Sequence, residues 1–120
     1  MRPLLAKDIT DFMERFEYFK DADFRSCDII SPTEVKLFFG VQDKARAFDW
    51  ISIELSCSLI YDAKLLETSK LSLVSMSEGI TLLYENSFAL AIGKYRNHSN
   101  TKDAIFYIHC KNIKYKEGTF

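Results

Sequence analysis

The chain has 120 residues, 48% of them hydrophobic, which is the size and composition of one globular domain and excludes a disordered segment. Its formal net charge of −1 excludes a strong overall attraction to nucleic acid or to an anionic membrane. No stretch approaches the roughly 18 apolar residues that cross a bilayer, and the start of the chain lacks the apolar run of a signal peptide. We therefore expect a single domain over residues 1–120, located in the cytoplasm, with no membrane contact.

The first predicted element is a helix over residues 7–20. Its apolar residues recur at spacings of three and four, which places them on one stripe. They are Ile9, Phe12, Met13, Phe16 and Phe19. Asp8 lies at the start, where an acidic side chain favours a helix, and Asp11 and Arg15 are four residues apart and are expected to pair on the outer face. We expect the aromatic stripe to pack on the rest of the domain.

From residue 22 the hydrophobic period changes from 3.6 to 2, which predicts a β-rich region over residues 22–117. The segment "SPTE", residues 31–34, fits both a helix start and a turn between strands. The β-branched and aromatic residues that follow, up to Gly40, favour a strand. Alternation of apolar and polar residues in "EVKLFFGV" and in "ISIELSCSL" is predicted to place one set of side chains in the core. They are Val35, Leu37, Phe39, Val41, Ile51, Ile53, Leu55, Cys57 and Leu59.

Further along the chain, "LSLVSM", residues 71–76, is predicted to be a short strand. "ITLLY" and "FALAIGKY" are predicted to be two strands joined by a polar turn. "RNHSNTKD" is predicted to be a surface loop and "AIFYIHCKNIKY" the last strand. No helix alternates with these strands, which excludes a doubly wound parallel sheet. The predicted fold is α+β, with the N-terminal helix packed on a strongly bent, mostly antiparallel sheet or partly open barrel of about seven strands.

His109 and Cys110 are the neighbouring residues that most suggest chemistry. Adjacent residues of a strand point to opposite faces, so the two side chains are not expected to share a site. Cys110 follows the alternation of the core residues Phe106 and Ile108, whereas His109 is predicted to lie on a mixed face beside Tyr107. Cys27, Cys57 and Cys110 are odd in number and widely spaced, which indicates buried free thiols. A small enzyme or ligand-binding domain that uses His109 and a cysteine stays open as an alternative.

The sequence predicts no catalytic residues, no metal and no cofactor. No phosphate-binding loop and no hydrolase or zinc motif is present. His98, His109 and the cysteines lack the spacing of a metal site.

Charge is distributed unevenly along the chain. Residues 1–34 carry eight acidic and five basic residues, and residues 94–120 carry six basic and two acidic ones. The basic third contains "KYRNH", with Lys94 and Arg96, which allows weak nucleic-acid binding as a second alternative. The acidic third is the predicted partner-binding surface, because complementary charge favours the encounter with a basic partner. Its candidate residues are Asp11, Glu14, Glu17, Asp21 and Asp23.

The segments "FKDADFRSCDII", "VKLFF", "WISIELS" and "MSEGITLLYE" together resemble small uncharacterised bacterial β-rich proteins, some of which are grouped with immunity proteins of polymorphic toxin systems. The resemblance covers half of the chain and implies no catalytic residue. The residues that carry it are Phe19, Asp21, Ala22, Trp50, Ser77, Glu78 and Gly79. The sequence thus leads us to expect a non-enzymatic bacterial protein that binds another macromolecule, in particular a protein, in an immunity or accessory role. A monomer or a small homo-oligomer is expected, without strong nucleic-acid binding.

Overall fold

A computed structural model describes residues 1–120 and contains one α-helix and one antiparallel sheet of seven strands. The elements are β1 (Arg2–Pro3), α1 (Ile9–Arg15), β2 (Asp23–Ser31), β3 (Glu34–Asp43), β4 (Asp49–Lys64), β5 (Ile80–Tyr84), β6 (Phe88–Ile92) and β7 (Tyr107–Thr119). The strand order is β2-β3-β4-β7-β6-β5, and β1 also pairs with β7. The sheet is not closed, because β2 and β5 are not paired with each other. The predicted α+β class is confirmed. None of the helices is long and apolar enough to cross a membrane.

The helix is shorter than the predicted segment 7–20. Helix α1 ends at Arg15, and 3₁₀ turns precede and follow it at Ala6–Asp8 and Glu17–Phe19. Residues 17–19 have positive φ angles of 54°, 56° and 59°, which a continuing right-handed helix does not allow. This turn places the ring of Phe19 at 5.1 Å from that of Phe39. The aromatic stripe is buried as predicted, apart from Ile9, which is half-buried.

The core side of β3 and β4 is confirmed by the structure except at Leu59. Val35, Leu37, Ile53 and Leu55 are buried, whereas Leu59 is 54% exposed. The φ angle of Leu59 is +54°, so the strand is kinked there and the alternation of its faces is interrupted. The next residue on the core side is Ile60 instead, which packs against the main core.

Residues 31–34 form the turn of a β2–β3 hairpin, in which Ser31 pairs with Glu34, so the strand prediction is confirmed there. The predicted strand at residues 71–76 is wrong. Residues Thr68–Leu73 form a 3₁₀ helix, in which Leu71 is buried and Leu73 is exposed. This segment covers the outer edge of β2 by side-chain hydrogen bonds rather than by strand pairing.

The three cysteines are free and buried, as predicted. Burial, assisted by the charge of Asp28, raises the pKa of the Cys27 thiol to about 11. The pKa of Cys57 is raised well above its ordinary value by a hydrogen bond with Cys110 and by complete burial. These shifts keep both thiols protonated and unreactive near neutral pH.

Candidate protein-binding groove

The two open edges of the sheet differ in how their backbone groups are covered. At the β2 edge, the Oγ1 of Thr68 accepts a hydrogen bond from the N–H of Cys27 at 3.1 Å and donates one to its carbonyl at 3.3 Å. Strand β5 forms the opposite edge and pairs only with β6. An uncovered strand edge is a template for pairing with another chain.

The hydrogen-bond register shows which groups of β5 face outward. The N–H of Gly93 donates to the carbonyl of Gly79 at 2.9 Å, and Ile80 lies opposite Ile92. In an antiparallel ladder, hydrogen-bonded and non-hydrogen-bonded pairs alternate, so Thr81 and Leu83 bond to β6. Both backbone groups of the remaining residues, Ile80, Leu82 and Tyr84, therefore point away from the sheet. No other main-chain or side-chain group of the protein bonds to them.

The outward groups of Ile80 and Leu82 lie along a groove of about 450 Å³ between β5 and the N-terminal helix, and Tyr84 continues the same strand edge beyond the groove lining. Its lining is mainly apolar, and Ile80 and Leu82 are themselves buried. The lining residues are Ile9, Thr10, Met13, Tyr18, Lys20, Glu78, Ile80, Thr81, Leu82, Leu83, Lys94 and Tyr95. A backbone donor or acceptor in such a place requires a hydrogen-bond partner, which water or an added strand supplies.

Besides β5 and helix α1, the groove has a third wall, which is the segment after β6 that Thr81 holds in place. Its hydroxyl donates to the carbonyl of Gly93 at 2.6 Å and accepts from the N–H of Tyr95 at 3.0 Å. The chain that leaves β6 is thereby held beside β5, and Lys94 and Tyr95 reach the groove. The groove is therefore bounded by a strand, a helix and a tethered segment.

Apart from this groove, a polar cluster lies around His109, on the side of the sheet away from the main core. The sequence placed His109 on a mixed face, but the structure buries it to 1% exposure beneath the 98–103 segment. Thr101 donates to the carbonyl of His98 at 2.6 Å, so the same hydroxyl accepts from Nε2–H of His109 at 2.7 Å. Burial and the nearby ring of His98 lower the pKa of His109, which favours the neutral ring.

The remaining groups of this cluster hold the 98–103 segment on the sheet. The hydroxyl of Ser87 lies 2.6 Å from that of Tyr61 and 3.3 Å from Nε2 of His98. A serine beside a histidine is the start of a nucleophile–base pair, but no carboxylate bonds to the ring of His98. Glu85 accepts instead from the backbone N–H of His98, at 2.7 Å. The arrangement lacks the orienting acid of a catalytic triad.

On the other side of the same cluster, the hydroxyl of Tyr107 donates to Asp62 at 3.1 Å, and Lys102 lies 3.4 Å from the same carboxylate. Although burial opposes ionisation of Asp62, these two contacts lower its pKa. The pKa of Tyr107 is raised by burial and by the bond to Asp62. All groups of this side are therefore paired with one another.

The structure does not bring His109 and a cysteine together. Cys57 and Cys110 lie in the main core, whereas His109 contacts Tyr61 and Tyr107 on the other face of the sheet. No group of three His, Cys, Asp or Glu side chains is placed to hold a metal ion.

The predicted acidic surface is divided between two places. Asp11 and Glu14 are exposed on helix α1. Glu17 is half-buried in the turn that follows. Asp21 and Asp23 are exposed and line a different, polar groove of about 700 Å³ beside residues 68–77, where Asp23 pairs with Arg25 at 3.2 Å. None of the five acidic residues lines the apolar groove at β5.

Sequence reasoning missed the apolar groove. It identified "ITLLY" as a strand but not as an edge, because the neighbours of a strand are set by the whole topology. The sequence places Lys94 and Tyr95 within the basic stretch "KYRNH" and relates that stretch only to weak nucleic-acid binding. No protein-family model, no curated protein and no solved structure matches this chain.

Proposed function

We propose that the protein is a non-enzymatic binding protein that receives an extended segment of another protein along strand β5. One observation carries the proposal: the outward backbone groups of β5 are unpaired, and those of Ile80 and Leu82 lie along an apolar groove. Addition of a strand to a sheet edge satisfies such groups, while pockets for alternate side chains provide specificity.

The shape of the groove favours one strand over a second copy of the sheet. Ile9 and Met13 of helix α1 form the wall opposite β5. A β5 edge from another copy would bring β6 behind it, in the position that the helix occupies. A single extended segment needs less room, about 4.8 Å between neighbouring strands.

The role as an immunity or accessory protein belongs to the same proposal. It draws on the resemblance of the sequence to immunity proteins, and a toxin encoded in the neighbouring gene would support it. The non-enzymatic assignment is supported by the separation of His109 from the cysteines and by the absence of an acid at the ring of His98. We propose a protein partner rather than a nucleic acid because the net charge is −1.

Hydrogen exchange of backbone amides tests the strand addition directly. Peptides that bind the protein are first selected from a displayed random library and then synthesised. We expect the amides of Ile80, Leu82 and Tyr84 to exchange fast in the free protein and slowly in the complex. The amides of Thr81 and Leu83 should be protected in both states, because they bond to β6.

Tyr84 provides a matched pair of variants. Tyr84→Pro removes an outward N–H without removing a bond to β6, whereas Tyr84→Ala removes the side chain but keeps the N–H. Peptide affinity should fall in the proline variant and stay near the wild-type value in the alanine variant. Equal affinity in all three proteins, or protection of β2 amides instead of β5 amides, would contradict the proposal.

The acidic surface predicted from the sequence is a competing location for the same function. Glu14, Glu17 and Asp21 do not line the β5 groove, so reversing their charge to lysine should leave its lining unchanged. Under our proposal this triple variant binds the selected peptides as the wild type does. A large loss of affinity, with unchanged stability, would instead favour the acidic surface and a basic partner.

A further inference from the structure

We infer that the segment bound at β5 carries an acidic side chain at the end of the groove where Gly79 lies, between Lys20 and Lys94. This inference rests on the proposed function, since it specifies the chemistry of the segment that the groove receives. The rest of the segment is expected to be apolar at alternate positions, because side chains of a strand alternate between its two faces.

Both lysines are held at the same end of the groove by Gly79. Its φ angle is +71°, and a Cβ atom there would collide with the carbonyl oxygen of Tyr18 and approach the backbone N of Lys20. Its carbonyl accepts from the N–H of Gly93, the residue before Lys94, at 2.9 Å. Gly79 immediately precedes β5, so Lys20 and Lys94 both line the groove at the end where the strand begins.

The two lysines at this end of the groove form no ion pair within the protein. Lys20 and Lys94 are both exposed. Glu78 is the one acidic residue in the lining, so the groove has two cationic groups against one anionic group. A carboxylate on the bound segment complements this excess, which fixes the register and the direction of the strand.

The remaining lining limits the length and the polarity of the segment. Strand β5 has five residues, so at about 3.4 Å per residue a bound strand extends over roughly 17 Å. Over most of that length the walls are apolar, with Met13 and Ile9 on the helix and Leu83 on the strand. We therefore expect segments of about five residues with two or three apolar side chains and one terminal Asp or Glu side chain.

Selection of binding peptides from the displayed library tests this chemistry. Asp or Glu should be enriched at one end of the selected segments. Replacing that residue by its amide, Asn or Gln, should weaken binding about five- to tenfold at low salt, because two partly exposed ion pairs are lost. The loss should shrink as salt is added.

Charge reversal in the protein provides the complementary measurement. The Lys20→Glu, Lys94→Glu double variant should lose at least about tenfold in affinity for the acidic peptide and regain it when the peptide residue is Lys. Lys114→Glu, Lys116→Glu is the matched control, since both lysines are exposed on β7 and line no part of this groove. The control should bind as the wild type does.

Three outcomes would overturn the inference. The first is equal affinity of the acid and amide forms of the peptide. The second is a loss caused only by amidation of the C-terminus of the peptide, which would show that a terminal carboxylate is bound. The third is an equal loss in the control variant. If β5 amides are protected in any of these cases, the strand addition stands and only the acidic residue is wrong; if they are not, the proposed function fails.

Discussion

Leu59 shows how one backbone angle changes which side chains enter the core. Strict alternation along β4 places Leu59 with Ile53, Leu55 and Cys57, but its φ angle of +54° turns it into solvent. Leucine has no intrinsic preference for this conformation, so the neighbouring contacts impose it. The main-chain N–H of Ile60 donates to the carbonyl of Thr33 at 3.0 Å, which ties the kink to the β2–β3 turn.

Leu55 and Leu59 form a matched pair for testing the core face. Leu55 is fully buried, so Leu55→Ala should lower the free energy of unfolding by about 2–5 kcal/mol through lost contacts and a cavity. Leu59→Ala removes a side chain that is 54% exposed and should cost less than about 0.5 kcal/mol. Urea unfolding followed by circular dichroism measures both. Similar losses in the two variants would show that the faces are assigned wrongly.

At the scale of elements, Arg15 links the helix to two strands that are distant in sequence. The sequence suggested pairing with Asp11, but the guanidinium donates to both carboxylate oxygens of Asp43, at 2.9 and 2.8 Å, and to Glu117 at 2.7 Å. The carboxylate of Asp43 is fully buried. The hydrogen bonds from Arg15 lower the pKa of Asp43, although burial opposes this, and the pKa of Arg15 is raised.

Removal of Arg15 should therefore destabilise the protein more than removal of an exposed charge. Arg15→Met leaves the buried carboxylate of Asp43 with the N–H of Ala45 and the side chain of Arg46, and should cost about 3 kcal/mol. Asp23→Asn, which breaks an exposed ion pair with Arg25, should cost less than about 1 kcal/mol. Denaturant unfolding of both variants checks this. A loss below about 1 kcal/mol for Arg15→Met would contradict the structural role of the pair.

At the scale of the whole molecule, the two faces of the sheet differ in polarity. The core is built from apolar side chains of the helix and sheet, whereas the opposite face buries a polar group, His109, with His98, Asp62, Lys102 and Tyr107 around it. This cluster fastens the 98–103 segment, and the same stretch of chain leads back to the groove at β5. Stability is thus coupled to ionisable groups on this face of the sheet.

Stability should consequently fall as the pH is lowered below the ordinary histidine value. The pKa of His109 is lowered from 6.5 in the folded protein, so the unfolded chain binds a proton that the folded ring excludes. The free energy of unfolding should decrease as pH falls from 6.5 towards the lower folded value. A further decrease is expected as the pH falls from 3.8 towards the lowered pKa values of Asp43 and Asp62, because the unfolded carboxylates bind protons that the folded ones exclude.

His109→Gln isolates the first of these two steps. The amide nitrogen of glutamine takes the place of Nε2–H and keeps the donor to Thr101, but it does not titrate. Urea unfolding at pH 7.5 and 5.5 should show a shallower pH dependence in the variant than in the wild type. An identical pH dependence in both proteins would contradict the assignment of this step to His109.

The sequence by itself determined the features that depend on local periodicity. The 3.6-residue spacing of Phe12, Met13 and Phe16 identified the buried stripe of α1, and the alternation in Ile51, Ile53 and Leu55 identified the core face of β4. The α+β fold class, the strand character of "VKLFF" and the burial of the free cysteines followed from the same patterns. These properties are predictable because each one is set by residues a few positions apart.

Tertiary structure decided the features that join distant segments. It made β5 an open edge, buried His109 beneath residues 98–103, and paired Arg15 with Asp43 rather than with Asp11. It also placed residues 68–73 along β2 as a 3₁₀ helix instead of a strand. The physical reason is that strand order, desolvation and long-range ion pairs are properties of the packed chain. One local pattern of hydrophobic residues is compatible with several strand orders and several sets of ion pairs.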